Sequence, residues 1–310
     1  MATPNFTFQN VYACYPLYKA LYGGTQISHL WEMKGVEYAL RKFLPKTREY
    51  NPKLNILELF AGNEENGNVL RGLGIPIDTY VSVDGFAPNA QIKANLAGAS
   101  VSLQSLIPKK LAKTKWDAVF ALYNSPETTV RDSEFNITRE LVLNVFRNMA
   151  SVCTPDHTLA IVSYSGSYNE QVFENTLNEK SEAEDTFDYF TVPSFYEQFK
   201  ALDHALPTTL EYEITNKYNR FSATLKIFFS RIKVKQNDKV KFTLDIVEPF
   251  SFRYWSESEL LDIARDAGFN QFHMLAFEDD IYRPSFVWEV DPVVTNSEEY
   301  KETELLVFLK

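Results

Sequence analysis

Three apolar segments of the sequence end in glycine, acidic or amide residues that could together hold a nucleoside. The first runs to Glu58 and a turn at Gly62, the second to Asp84, and the third to Asn124. A glycine turn after a strand lets the backbone approach a ligand closely. An acid about 20 residues further on, at the end of the next strand, suits the two hydroxyls of a ribose. The order and spacing of these residues predict a nucleoside site.

Strands and helices alternate around these segments. Helical periodicity covers residues 28–43 and 139–152, and the apolar runs at 54–60 and 117–123 have the length of buried strands. This alternation predicts parallel strands with helices on both faces, and ligands of such sheets bind outside the carboxyl ends of the strands. The other predicted strands are 80–83, 100–103, 158–163, 272–277 and 305–309, and the other predicted helices are 68–73, 88–96 and 256–268.

The pattern changes between residues 166 and 249. The acidic stretch 170–188 is predicted to be helical, and residues 209–247 have the composition of antiparallel strands. We therefore expect an α/β fold with a Rossmann-like, seven-stranded, mostly parallel sheet built from residues 28–165 and 250–310. Residues 166–249 are expected to form an inserted antiparallel β-rich cap, and residues 1–27 an N-terminal aromatic lid.

Composition narrows the classes of partner. The formal net charge of −10 opposes binding to the phosphates of nucleic acid. Two cysteines and four scattered histidines give no disulfide framework and no metal-ligand spacing, so no metal is expected. The sequence contains no secretory signal pattern and no apolar stretch of about 20 residues. We expect no membrane span and a cytoplasmic location.

The segments at the strand ends resemble class I S-adenosylmethionine-dependent methyltransferases. The run from Ile56 to Asn63 is similar to their Glu-x-Gly-x-Gly-x-Gly loop, and Asp84 is similar to their ribose-binding acid. The stretch from Arg253 to Phe269 resembles a segment of their small-molecule members, which carry inserted antiparallel strands just before it. The resemblance covers residues 28–165 and 250–310. It implies methyl transfer from S-adenosylmethionine to an oxygen or nitrogen of a small-molecule acceptor.

The resemblance also implies roles for individual residues. Asp84 would bind the ribose hydroxyls, while Glu58 and Gly62 would lie beside the methionyl end of the cofactor. The family often has an aspartate after its third strand to contact the adenine, where this chain has Gln104 or Ser105. The full set of implied cofactor-binding residues is Glu58, Gly62, Asn63, Asp84, Gly85, Phe86, Gln104, Ser105, Leu122 and Tyr123. The implied substrate-binding residues are Tyr15, Tyr18, Asn124 and Tyr254.

Two residues depart from the glycine pattern of the loop. Phe60 stands at its first glycine and Glu64 at its third. A carboxylate at Glu64 would approach the cofactor's own carboxylate, so the alternative function is a catalytically inactive methyltransferase-like protein that binds a ligand or a partner. The run Asn124-Ser125-Pro126 also suggests an adenine-specific DNA methyltransferase. This alternative is less favoured, because no aromatic residue follows Pro126 to stack a flipped base.

A hydroxyl acceptor would need a general base, for which His204 and Tyr164 are the candidates. The N-terminal tyrosines have two interpretations: an aromatic lid over a sulfonium, or a helical stripe packed on the core. They are Tyr12, Tyr15, Tyr18 and Tyr22.

The lysines of the inserted hairpin also have two interpretations. Lys233 and Lys235 alternate on one face of a predicted strand. They either attract an acidic partner or shield the edge of the sheet, and the second interpretation is favoured. A homodimer formed through this hairpin is a further expectation.

Overall fold

The computed structural model describes residues 3–22, 26–44, 53–61, 65–85, 90–94, 96, 102–122, 125–164, 180–187, 192–253, 255–278, 285–290 and 304–310. The strands are β1 (Asn5–Phe8), β2 (Leu54–Leu59), β3 (Ile77–Asp84), β4 (Ile92–Lys93), β5 (Ala118–Ala121), β6 (Leu159–Tyr164), β7 (Lys180–Phe187), β8 (Thr208–Asn219), β9 (Thr224–Phe229), β10 (Ile232–Gln236), β11 (Lys239–Ile246), β12 (Phe250–Phe252), β13 (Gln271–Glu278), β14 (Ser285–Val290) and β15 (Glu304–Leu309). The α-helices are α1 (Tyr15–Tyr22), α2 (Gln26–Phe43), α3 (Glu65–Gly72), α4 (Leu103–Leu106), α5 (Ser125–Thr128), α6 (Arg139–Val152), α7 (Pro193–Gln198) and α8 (Glu257–Asp266).

The chain divides into two compact units. The first, which we call the β-rich unit, contains residues 1–26 and 169–252. The second, the α/β unit, contains residues 27–168 and 253–310. None of the helices in the described part of the chain is long and apolar enough to span a membrane.

The α/β unit is built on an eight-stranded sheet with the order β14-β13-β15-β6-β5-β2-β3-β4. The five strands from β6 to β4 pair in parallel with one another, as expected for strands joined by helical crossovers. The pairs β6–β15, β15–β13 and β13–β14 are antiparallel. The structure confirms a Rossmann-like α/β core, and its sheet is mixed.

Helices cover both faces of this sheet, as the alternating sequence pattern predicts. On one face, α2 contributes Met33 and Val36 and α3 contributes Leu70, and they pack against Ile56 and Phe120. On the other face, the apolar sides of α4, α6 and α8 pack against the odd-numbered residues of β2, β3 and β5. Side chains alternate between faces along a strand, so a residue's position in its strand decides which face it lies on.

The prediction of a third strand over residues 100–103 is wrong at its described end, and residues 100 and 101 lie outside the described residues. Leu103, the last residue predicted to be extended, begins helix α4, and the strand that follows β3 is β4, which lies inside the predicted helix 88–96. β4 has two residues, with Val83 opposite Ile92 and Asp84 opposite Lys93. A two-residue strand is too short to leave a periodic signal in the sequence.

The β-rich unit contains a seven-stranded sheet in which β7 pairs with β8 and the remaining path is β1-β11-β10-β8-β9-β12. The N-terminal strand β1 runs parallel to β11, and Val11, Cys14 and Leu17 are buried in the same core as α7. Residues 180–187, part of the acidic stretch predicted to be helical, form the strand β7 instead. The exposed face of this strand carries charged residues, so the segment has the composition of a polar helix.

The edge-shielding interpretation does not hold for Lys233 and Lys235, because their strand β10 is paired on both sides. β10 pairs with β8 on one side and β11 on the other, and β11 also pairs with β1. Lys233 and Lys235 both donate to the carboxylate of Glu211 on β8. These hydrogen bonds lower the pKa of Glu211 to about 2. The positive charges of Lys233 and Lys235 are therefore matched within the sheet.

Candidate functional site

The first feature of the candidate site is the turn that follows β2. Phe60 has a φ of +56°, which is the left-handed region that glycine favours. A side chain in this conformation costs about 1 kcal/mol. The backbone N–H of Ala61 then donates to the carbonyl of Val83 on β3, at 3.2 Å. The chain thus makes a glycine-like turn at the first glycine position of the loop, although Phe60 stands there. Gly62, Asn63 and Glu64 lie outside the described residues.

Glu58, the fifth residue of β2, is the buried acid of the site. Its side chain is only 1% exposed. The Tyr80 hydroxyl donates to Oε2, and Asn66 Nδ2 donates to Oε1 at 2.5 Å. Burial raises the pKa of Glu58 to about 8; the two hydrogen bonds oppose the shift, and the negative charges of Glu32 and Asp84 add to it. Glu58 is therefore mainly protonated at neutral pH.

Helix α3 is attached directly to this acid. Asn66 lies in its first turn, so the hydrogen bond to Glu58 ties the helix to the end of β2. A Cβ atom on Gly67 would lie 3.0 Å from ring atoms of Tyr80, so any other residue there would require the ring to move. Gly67, Asn66 and Tyr80 were missed in the sequence analysis. The usable signal was a glycine in the first turn of the helix, because glycine there permits close packing of a helix on a strand.

Asp84 ends the neighbouring strand β3 at the same edge of the sheet. Glu58 lies opposite Ser82 in the register, and Asp84 is two residues further, so the side chains of Glu58 and Asp84 lie on the same face. Asp84 is partly exposed, and its carbonyl accepts a hydrogen bond from Ala94 at 3.1 Å. Gly85 follows and is exposed. Phe86 lies outside the described residues.

Two predicted residues mark the ends of the next strands along this edge. Leu122 follows β5 directly, is buried, and belongs to the same face as Glu58. Tyr164 is the last residue of β6, is 1% exposed, and belongs to the opposite face. Tyr123 and Asn124 lie outside the described residues.

Gln104 and Ser105, the residues predicted to contact the adenine, both lie in the helix α4, which begins at Leu103. Gln104 Nε2 donates to the carbonyl of Ser151 at 2.7 Å, in the last turn of α6. That turn leads into the amino end of β6, whereas Asp84 lies at the carboxyl ends of the strands.

The predicted residues of the β-rich unit lie as follows. His204 is exposed in the turn before β8, with its ring edge-on to Tyr196 at 5.6 Å between centroids. Tyr18 lies in α1, and its ring centroid is 5.0 Å from that of Tyr12. Tyr12 and Tyr18 pack on the core of this unit, in line with the stripe interpretation. Tyr15 is the first residue of α1. Tyr254 lies outside the described residues.

Asp117 holds the amino edge of the sheet. Its Oδ2 accepts from the backbone N–H of Asn55 at 2.7 Å, and Oδ1 lies 2.9 Å from His157 Nε2. These contacts join the starts of β2 and β5, so the role of Asp117 is structural. No group of three or more histidine, cysteine, aspartate or glutamate side chains arranged for a metal occurs among the described residues.

Similar solved structures were found for nearly the whole chain. An S-adenosylmethionine-dependent methyltransferase from Clostridium acetobutylicum superimposes with a TM-score of 0.54 at 11% identity, covering 96% of this chain and 98% of that one. DesVI from Streptomyces venezuelae superimposes with a TM-score of 0.52 at 10% identity, covering 94% and 96%. The chain has a methyltransferase fold. No protein-family model and no curated protein sequence matches it.

Within this methyltransferase fold, the segment that begins at Arg253 has a clear structural role. The Arg253 guanidinium lies 3.6 Å from the centre of the Trp255 ring and donates to the Ile137 carbonyl at 3.1 Å. Ser256 and Glu259 form the predicted capping box at the start of α8. The residues that resemble the methyltransferase segment therefore position α8 against the sheet.

Proposed function

We propose that the protein transfers a methyl group from S-adenosylmethionine to an oxygen or nitrogen of a small-molecule acceptor. The observation that carries this proposal is the pairing of Asp84 with the turn at Phe60 at the carboxyl ends of adjacent parallel strands. In open α/β sheets this crevice is where nucleotide ligands bind. The similar protein from Clostridium acetobutylicum supports the cofactor assignment, since it is named as an S-adenosylmethionine-dependent methyltransferase.

The described residues fit such a cofactor. The partly exposed carboxylate of Asp84 can accept hydrogen bonds from both hydroxyls of a ribose. Because Glu58 is mainly protonated at neutral pH, it adds little negative charge beside a bound carboxylate. The further cofactor contacts we propose are Gly62, Asn63, Gly85, Phe86, Leu122 and Tyr123.

When bound, S-adenosylmethionine supplies a methyl group activated by a sulfonium. The contribution of the chain is to bind, to orient and to exclude water. Holding two reactants in a productive geometry can supply on the order of 7–11 kcal/mol. An amine acceptor only has to arrive uncharged, whereas a hydroxyl acceptor needs a base, for which His204 and Tyr164 are our candidates. Tyr15, Tyr18, Asn124 and Tyr254 are the proposed acceptor contacts.

We propose that the β-rich unit determines which acceptor is bound, because it carries Tyr15 and Tyr18, two of the proposed acceptor contacts. A cytoplasmic location and a homodimer through the β10–β11 hairpin stay predictions. In this hairpin, β10 pairs with β8, and residues 243–246 of β11 pair with β1.

The test is a methyl-transfer assay that detects release of S-adenosylhomocysteine across a panel of small amines, alcohols and phenols. We expect turnover with one class of acceptor. Calorimetric titration with S-adenosylmethionine comes first, because absence of binding would reject the proposal. Binding without turnover on any acceptor would instead support the inactive methyltransferase-like alternative.

A further inference from the structure

Alternate residues of β8 face opposite sides of the β-rich sheet. Leu210 and Tyr212 are buried in the core of the unit, whereas Glu213 and Lys217 are exposed. We call the side of β7, β8 and β9 that carries these two exposed residues the outer face. The pairing register places on it Lys180, Glu182 and Glu184 of β7, Glu211, Glu213, Thr215 and Lys217 of β8, and Lys226 and Phe228 of β9. Most side chains of the outer face are therefore charged.

The charges of the outer face are separated by sign along β8. Glu182 lies directly opposite Glu213, and further along the strand Lys217 lies directly opposite Lys226. Residues in such positions have Cβ atoms about 4.5–5.5 Å apart, and like charges there are destabilising. Glu182, Glu213 and Lys217 form no ion pair with the residues that the structure describes. One end of this stretch of β8 is therefore acidic and the other end is basic.

Thr215 lies midway between the acidic and the basic position of β8. Glu213 and Lys217 are each two residues from it, which corresponds to about 7 Å. Phe228 lies opposite Thr215 on β9, is half-buried, and has its ring centroid 4.8 Å from Lys217 Nζ. A two-fold axis that is parallel to the sheet and crosses β8 at Thr215, perpendicular to the strand, places a second copy face to face with the first. Glu213 of each copy then lies over Lys217 of the other, and the two Phe228 rings lie over each other.

We propose that the outer face binds a second copy of this chain around this axis, with Glu213 of each copy paired with Lys217 of the other. Stacked sheets lie about 10 Å apart, a distance that a glutamate and a lysine side chain span together. The Phe228 rings supply an aromatic centre, and Lys180 at the rim lies within reach of Glu182 of the other copy. Each contact occurs twice, as in a symmetric homodimer. This surface differs from the β10–β11 hairpin, and the inference does not depend on the proposed methyl transfer.

Charge reversal tests this pairing by sedimentation equilibrium of the full chain. Glu213→Lys and Lys217→Glu each bring like charges face to face twice in the dimer, so each should weaken self-association at least about 10-fold. An equimolar mixture of the two variants should associate as tightly as the unmodified protein, because every contact in the mixed dimer again joins opposite charges. Failure of the mixture to recover the association would overturn the proposal.

Two controls separate this role from an effect on folding and from the hairpin. Within one chain, Glu213→Lys replaces the like-charge pair with Glu182 by an opposite-charge pair, so its Tm should equal or exceed that of the unmodified protein when both are diluted to monomers. A lower Tm would show that Glu213 supports the fold and would overturn the assignment. Lys239→Glu, at the exposed tip of the β10–β11 hairpin, should leave the association unchanged. An effect confined to Lys239→Glu, or an unmodified protein that stays monomeric at about 1 mM, would contradict the proposal as well.

Discussion

Replacing Glu58 by glutamine keeps the shape of the buried side chain and removes its ability to ionise. Because the pKa of Glu58 is raised, glutamine resembles the form that the folded protein holds at neutral pH. Asn66 can still donate to the amide oxygen, and the Tyr80 hydroxyl can rotate to accept from the amide nitrogen. We therefore expect Glu58→Gln to fold with little loss of stability at pH 6.

The two proteins should diverge as the pH rises. The pKa of Glu58 is about 8 in the folded protein, against 4.5 as the ordinary value. Folding therefore favours the protonated carboxyl. That contribution is complete below about pH 4.5 and is lost as the pH rises through about 8. Between pH 6 and pH 8 this one group removes about 2 kcal/mol from the free energy of unfolding. The free energy of unfolding of Glu58→Gln does not fall in this way, because its amide does not ionise.

Urea unfolding at pH 6, 7 and 8 measures the effect. The unmodified protein should lose about 2 kcal/mol more than Glu58→Gln over this range. Glu140→Gln is the control, because Glu140 is exposed and forms an ion pair with Arg147 at the surface. Parallel pH profiles for the unmodified protein and Glu58→Gln would refute the assignment of a protonated Glu58.

Two further substitutions test the internal packing of the α/β unit and the buried hydrogen bonds of the β-rich unit. Gly67→Ala places a Cβ 3.0 Å from the Tyr80 ring and should lower the free energy of unfolding in urea by about 1–3 kcal/mol. Gly72→Ala in the same helix is the control: its Cβ meets nothing within 4 Å, so the change should be neutral or stabilising. An equal effect of both changes would contradict the close approach. Gln236→Leu in the β-rich unit removes hydrogen bonds to the Asp203 backbone and to Thr208, and should cost about 3 kcal/mol in the same assay. A cost below about 1 kcal/mol would show that this buried network is dispensable.

The carboxyl edge of the sheet could be predicted because its signals are local. The apolar run of β2 is one continuous segment of sequence, and so is the segment of β3 that ends in an acid. The register between the two strands follows from parallel pairing. The capping box at Ser256 is also local, and it was predicted correctly. Such features depend on the types of neighbouring residues, which the sequence displays directly.

Other features depend on contacts that the sequence does not display. β1 pairs with β11 across more than 230 residues, as in the pair Asn5 and Thr243. The Gly67 contact with Tyr80 depends on how α3 packs on β3, and the raised pKa of Glu58 depends on its complete burial. The strand β7 was missed because its exposed acidic residues hide the alternation that buried strands show.

The central claim is that the carboxyl ends of β2 and β3 bind the nucleoside of S-adenosylmethionine. Calorimetric titration of S-adenosylhomocysteine into the unmodified protein, Asp84→Ala and Asp78→Ala tests it most directly. Asp78 lies on the same strand, exposed near its amino end, and serves as the matched control. Charge-assisted hydrogen bonds contribute about 1.5–3 kcal/mol, so we expect Asp84→Ala to weaken binding at least about 10-fold and Asp78→Ala to leave it unchanged. Equal affinities in all three proteins, or no binding to the unmodified protein, would contradict the claim.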